Sequence, residues 1–221
     1  EAQNMLEIHY VWQWPVRICH WINVISMIML SITGFYIGSP FITAPDSSMY
    51  IMGWMRFLHF AFAYLFAVSV AARIIWMFVG NQHASWKAFI PWITAEGRRN
   101  FIKMFRYYTF TGKKITYEVG HNPVAATAYI GIFALFIFQI VSGFAMYGQY
   151  APGGFWDSTL GGLNVLVGSQ WLRLLHHGVM WLLAGFIINH IYSGWLMDVK
   201  MRNGTMSGIF SGYRFIEPED L

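Results

Sequence analysis

From Trp171 to Asp198 the chain reads WLRLLHHGVMWLLAGFIINHIYSGWLMD. The stretch is long and apolar enough to be a membrane helix, for which about 20 residues suffice. Three histidines interrupt it: His176, His177 and His190. Imidazole in hydrocarbon is costly and marks function. The fourteen-residue step from His176 to His190 rises about 21 Å and turns about 1400°, roughly 40° from whole turns. The two therefore share a face, near opposite sides of a layer about 30 Å thick. Such a helix can offer one axial ligand to each of two stacked haems. His177 lies about 140° off the face it would have to share with His190, so it is the poorer ligand.

Composition agrees with a polytopic membrane protein: 57% hydrophobic, 19% aromatic and only 11% charged residues lie far from a soluble-domain profile. The single cysteine, Cys19, rules out an internal disulfide framework and a cysteine-built iron–sulfur cluster. No CxxCH occurs, so covalent c-type haem is out. The net charge of +4 comes mostly from one loop and the tail and is not a nucleic-acid signal. The N-terminus, EAQNMLEIHY, lacks a signal-peptide shape, so the first span is expected to stay as a membrane helix.

Four spans are expected, at about 17–37, 54–79, 123–147 and 171–197, in a single membrane domain covering 1–221. The first begins after Pro15, which suits a helix start, and holds His20. Gly34 lies fourteen residues further on, on nearly the same face. Two roles are open to it, close approach of a flat ring or helix packing. The second span holds His59, with Arg56 a turn before it; Arg56 can pair with a haem propionate or snorkel to the interface. The third has neither histidine nor charge, and Gln139 is its most polar side chain. Between the second and third spans, Phe101, Ile102, Met104, Phe105 and Tyr108 form a helical stripe among basic residues, as in an amphipathic helix on a membrane surface.

Segment 80–120 carries Lys87, Arg98, Arg99, Lys103, Arg106, Lys113 and Lys114, and the tail carries Lys200, Arg202 and Arg214. These are ten of the fourteen basic residues, whereas segments 38–53 and 148–170 have none. The positive-inside rule then places the rich loop and both termini in the cytoplasm. His59 and His176 fall on the outer side, His20 and His190 on the inner. Each pair is a bis-imidazole set suited to a low-spin, electron-transferring b haem. With both axial positions filled by protein, oxygen or substrate binding at iron is disfavoured. A closed zinc site is disfavoured too, because it wants four ligands at one depth. His9 and His83 are expected as solvated loop residues. His177 is left as a hydrogen-bond partner, a propionate contact or a ligand.

The motifs PVRICHW (15–21), TGFYIGSP (33–40), MRFLHF (55–60), ARIIWMFVGN (72–81), GHNP (120–123), SGFAMYG (142–148), the His176–His190 segment and SGYR (211–214) occur in order over nearly the whole chain. Together they resemble the cytochrome b subunit of membrane-bound [NiFe] hydrogenases. The fold is also similar to the gamma subunit of respiratory formate dehydrogenases. The resemblance implies a four-helix, all-α integral membrane bundle holding two haem b groups, with the amphipathic helix on the cytoplasmic side. It implies an anchor in the bacterial inner membrane for a [NiFe] hydrogenase of small and large subunits on the outer face. Electrons would pass from an iron–sulfur cluster of the small subunit through haem to quinone, making the chain a subunit of a hydrogen:quinone oxidoreductase in a respiratory chain.

Carried over by motif, the haem ligands are His20, His59, His176 and His190. In the formate dehydrogenase relatives a quinone pocket lies near an asparagine that opens the third helix, a place matched by Asn122 with His121 beside it. Cys19 departs from the aromatic residue expected in some relatives and reads as a small buried residue. Three alternatives stand beside this reading. The same cytochrome would serve a formate or sulfur-compound oxidoreductase, or the chain would be a structural anchor without quinone reduction, or it would be a transition-metal transporter.

Overall fold

The computed structural model describes residues 7–43, 45–112 and 120–216. Lys113 and Lys114 of the charge pattern lie outside the described residues. In chain order, strand β1 (Glu7–Tyr10) leads into helices α1 (Trp14–Gly38), α2 (Ile51–Val79), α3 (Ala95–Tyr108), α4 (Pro123–Gly148), α5 (Phe155–Leu160), α6 (Ser169–Met201) and α7 (Thr205–Ser211), and then strand β2 (Tyr213–Ile216).

Among the described residues four helices are long and apolar enough to cross a membrane: α1, α2, α4 and the continuous run Asn164–Met201 that includes α6. Their ends have local causes. Pro15 occupies the first turn of α1, where its missing N–H costs nothing. Asn122 caps α4, its Oδ1 accepting from the backbone N–H of Val124 at 2.9 Å and Ala125 at 3.4 Å, with Pro123 at the first helical position. The last apolar run starts at Asn164 rather than Trp171 because a π-helical stretch, Asn164–Gly168, precedes α6. Asn164 anchors it, Nδ2 donating to the Ala145 carbonyl at 2.7 Å.

The amphipathic segment folds as α3. Thr94 caps it, Oγ1 accepting from Gly97 N–H at 3.0 Å. Met104 is fully buried, while Ile102 and Phe105 are exposed. An all-helical chain was the expectation, and one element departs from it. β1 and β2 pair antiparallel, with Glu7 opposite Ile216 and His9 opposite Arg214. Single short strands carry no usable local signal; this pair exists only because the two ends of the described chain meet.

The chain divides into two compact units. The first comprises the described residues of 1–18, 73–133 and 187–221. Val11, Trp12, Val16 and Ala84 form its apolar centre, with Trp76 against them. Gln13 Oε1 accepts from Trp76 Nε1 at 3.0 Å and from Asn81 N–H at 2.9 Å. Asn81 in turn donates from Nδ2 to the Val11 carbonyl at 2.9 Å and accepts from Ala84 N–H at 3.0 Å. Three arginines, each only 6% exposed, complete the unit. Arg17 donates to the Phe210 carbonyl, Arg73 to the Ala84 carbonyl at 3.2 Å, and Arg214 to the Gly120 carbonyl at 2.8 Å and Thr205 Oγ1 at 2.7 Å. A guanidinium keeps its charge when buried and projects several donors in a fork, so it can bind carbonyls that no helix satisfies.

The second unit comprises 19–72 and 134–186 and takes a segment from each of the four long helices. Phe66 of α2 packs edge-on to Phe136 of α4, centroids 5.0 Å apart. Ser69 of α2 donates to the Cys19 carbonyl of α1 at 3.2 Å. Cys19 itself is buried and free. Phe35 of α1 meets Trp181 of α6 at 5.1 Å. These apolar and hydroxyl contacts leave the histidines of the unit as its most distinctive polar groups.

Candidate functional site

His59 lies on α2, and its Nδ1 is 2.9 Å from Thr33 Oγ1 of α1. The threonine hydroxyl already donates to the Met29 carbonyl one turn back, at 2.6 Å. With that proton committed, the oxygen accepts, and the imidazole carries its proton on Nδ1. Nε2 is then the unprotonated nitrogen, the form a metal-ligating histidine needs. The ring also lies against Gly34: a Cβ there would stand 3.3 Å from His59 Cε1.

His176 on α6 repeats the arrangement on the other helix pair. Its Nδ1 is 2.8 Å from Ser142 Oγ of α4, and that hydroxyl donates to the Phe138 carbonyl at 2.6 Å. A Cβ on Gly143 would stand 3.3 Å from His176 Cε1. Gln139, a turn before Ser142, donates from Nε2 to the backbone carbonyl of His176 at 3.0 Å. His59 is near enough to His176 for their rings to interact electrostatically. Two imidazoles in one compact unit, each with its proton turned into a helix and Nε2 unprotonated, fit the axial demands of a b haem. His177 is placed differently: its ring packs edge-on to Phe35 at 5.6 Å and against Gly38, whose Cβ would be 3.6 Å away.

The first unit holds His190, whose Nδ1 is 3.4 Å from Tyr129 OH of α4. His20 belongs to the second unit, beside the Trp21 ring at 5.1 Å. Arg56 is exposed, with its guanidinium 5.6 Å from the centre of the Tyr150 ring.

His121 is packed among the rings of Trp12, Phe89 and Tyr129, at 4.7, 5.0 and 5.3 Å. Its buried Nδ1 has no hydrogen-bond partner among the described residues. Burial, with the positive charges of Arg73 and Arg214 and the neighbouring His83 and His190, holds its pKa down at about 3. Asn122 spends Oδ1 on the cap of α4, while Nδ2 donates to Tyr108 OH at 3.3 Å. Burial raises the Tyr108 phenol above its usual range, and the adjacent Tyr107 adds to that.

Of the two residues expected in solvated loops, His83 does lie in the turn after α2, whereas His9 is taken up by a strand. His9 sits on β1, 3.1 Å from Glu7 Oε2. His83 is half-buried against Gly120, its pKa lowered by burial and then by His9 and Arg214. The roles of Thr33, Ser142 and Tyr129 escaped the sequence reading. A signal existed: Thr33-Gly34-Phe35 and Ser142-Gly143-Phe144 repeat one hydroxyl–Gly–Phe pattern in two apolar spans.

A family described as prokaryotic cytochrome b561 matches residues 11–212. A probable Ni/Fe-hydrogenase B-type cytochrome subunit of Cupriavidus necator is 39% identical over 210 residues, covering 93% of this chain and 86% of the relative. A protein of the same description from Bradyrhizobium diazoefficiens is 38% identical, over 93% of this chain and 85% of its own length. The probable Ni/Fe-hydrogenase 1 B-type cytochrome subunit of Escherichia coli K12 is 32% identical, over 93% and 90%. With its histidines carried in long apolar helices, the chain belongs to the prokaryotic cytochrome b561 family.

Proposed function

We propose that the chain is the membrane electron-transfer subunit of a Ni/Fe-hydrogenase and passes electrons from that partner's iron–sulfur cluster to membrane quinone. His59 and His176 would hold an outer haem b, and His20 and His190 an inner one. The haem, when bound, supplies a one-electron carrier. The protein's part is to position imidazoles, keep Nε2 unprotonated and exclude water.

The observation that carries this reading is the matched environment of His59 and His176, each with Nδ1 on a buried hydroxyl and its ring against a glycine. For His20 and His190 the support is helical register. Charge distribution supports both termini and α3 facing the cytoplasm, with the exposed Ile102 and Phe105 at the bilayer surface. Quinone would bind in the first unit near His121, Asn122 and Tyr108, a reading supported by the aromatic rings, amide and phenol groups that meet there. Arg56, exposed and over the Tyr150 ring, is proposed as an outer-interface residue available to a haem propionate.

Optical redox titration of the purified chain tests the haems. Two low-spin b-type components are expected, with one lost on His59→Ala and the other on His20→Ala. A single component, or full haem content in either variant, would refute the assignment. Hydrogen-dependent quinone reduction by the intact complex tests the partner and the acceptor.

A further inference from the structure

Thr33 and Ser142 sit on different helices, 1% exposed each, and do the same thing. Each hydroxyl lies 2.6 Å from the carbonyl four residues back and 2.9 or 2.8 Å from Nδ1 of a histidine on another helix; spending its proton on the carbonyl makes it the acceptor of the ring N–H. Each is followed by a glycine whose missing Cβ leaves 3.3 Å to the histidine Cε1. The chain thus builds one cradle twice, in Thr33-Gly34 for His59 and in Ser142-Gly143 for His176.

A buried helical hydroxyl bonded only to its own i−4 carbonyl is common and carries no message. These two differ because the second lone pair receives a ring N–H. Such a bond fixes the tautomer, stops rotation about the Cβ–Cγ bond and makes Nε2 more basic. A more basic ligand favours the ferric over the ferrous state, and hydrogen bonding beyond the axial ligand is one of the protein's means of setting haem potential.

We propose that Thr33 and Ser142 are a pair of positioning residues that lock His59 and His176 with Nε2 toward the outer haem and lower its midpoint potential. This rests on those histidines ligating a haem, and the test separates the two claims. Thr33→Val keeps the side-chain shape and removes the hydroxyl, while Thr33→Ser keeps the hydroxyl and removes a methyl. Ser142→Ala and Ser142→Thr make the same contrast independently on α4. The full-length, haem-loaded chain is titrated optically, and its low-temperature electron paramagnetic resonance spectrum is recorded.

The expected result is that the outer-haem potential rises in T33V and in S142A. At the wild-type midpoint the oxidised-to-reduced ratio should fall by up to about tenfold, which for one electron is about 59 mV. T33S and S142T should keep the wild-type potential, and the g-anisotropy should change only where the hydroxyl is lost. If the potential follows side-chain shape instead, or does not move in haem-replete T33V and S142A, the proposal is overturned. Should T33V not fold, the α4 pair decides on its own. Failure of the underlying reading looks different: the wild-type chain would lack two bis-histidine low-spin signals, or His59→Ala would retain both.

Discussion

The Ser142 hydroxyl on α4 lies 2.8 Å from His176 Nδ1 on α6, across a separation of 34 residues, and Gly143 beside it lies directly against the same ring. The hydroxyl sets which nitrogen is protonated, and the glycine lets the ring come that close to a helix.

Adding one methyl at Gly143 should therefore matter, whereas adding one at Gly131 of the same helix should not. A Cβ at 143 would press on His176 Cε1 at 3.3 Å, but one at 131 meets nothing within 4 Å. Overpacking a filled site costs about 1–3 kcal/mol, and relieving a mid-helix glycine gains roughly 0.5–1 kcal/mol. Gly143→Ala is expected to lower haem content and thermal midpoint, and Gly131→Ala to leave haem content unchanged. Haem-to-protein ratios of the two variants decide it, and equal loss in both would contradict the geometry.

Gln139 holds the His176 backbone from α4. Gln139→Leu removes a second bond to a carbonyl that the α6 ladder already satisfies and should cost about 0.5–1.5 kcal/mol. Its thermal midpoint should fall with the wild-type absorption spectrum retained, because the imidazole keeps its Ser142 contact. A shifted spectrum with unchanged stability would be the opposite of what the contact predicts.

In the first unit, Asn81 and Gln13 bind residues 11–13 to the end of α2 through three hydrogen bonds of 2.9–3.0 Å, and Asn81 Oδ1 also accepts from Ala84 N–H at 3.0 Å. Asn81→Ala removes two side-chain contacts and strands the Val11 carbonyl, while the Ala84 N–H keeps the Asn81 backbone carbonyl at 3.0 Å. A loss of about 1–3 kcal/mol is expected, read as a lower thermal midpoint and faster proteolysis near the N-terminus. Wild-type protease resistance in Asn81→Ala would show that the network carries little stability.

His121 makes stability depend on pH. Its folded pKa is about 3, against an ordinary 6.5. Above pH 6.5 the ring is neutral in folded and unfolded chains and costs nothing. Below 6.5 the unfolded chain takes up a proton that the folded chain refuses, so stability falls as pH falls, levelling off only below about 3. Between pH 6.5 and 5 the loss is about 2 kcal/mol at 1.36 kcal/mol per unit. Thermal unfolding in detergent at pH 7.5 and 5.0 should show a smaller acid loss in His121→Gln than in the wild type. An identical loss in both would assign the acid sensitivity to other groups.

The four apolar spans and the register of His176 and His190 are legible in the sequence because both are properties of single helices. Apolarity is read over about 20 consecutive residues, and a fourteen-residue step resolves to one face by the 3.6 period alone. The amphipathic α3 is legible for the same reason. Tertiary structure decided what periodicity cannot carry. Thr33 and His59 are 26 residues apart, Tyr129 and His190 61, and Gln13 and Asn81 68; no local pattern pairs them. The β1–β2 ladder joins residues 7–10 to 213–216, and the rings enclosing His121 come from three separate stretches. Sequence placed the imidazoles along their helices, and packing chose which hydroxyl takes each proton, because a hydrogen bond needs its partner within about 3 Å and only the folded chain brings one there.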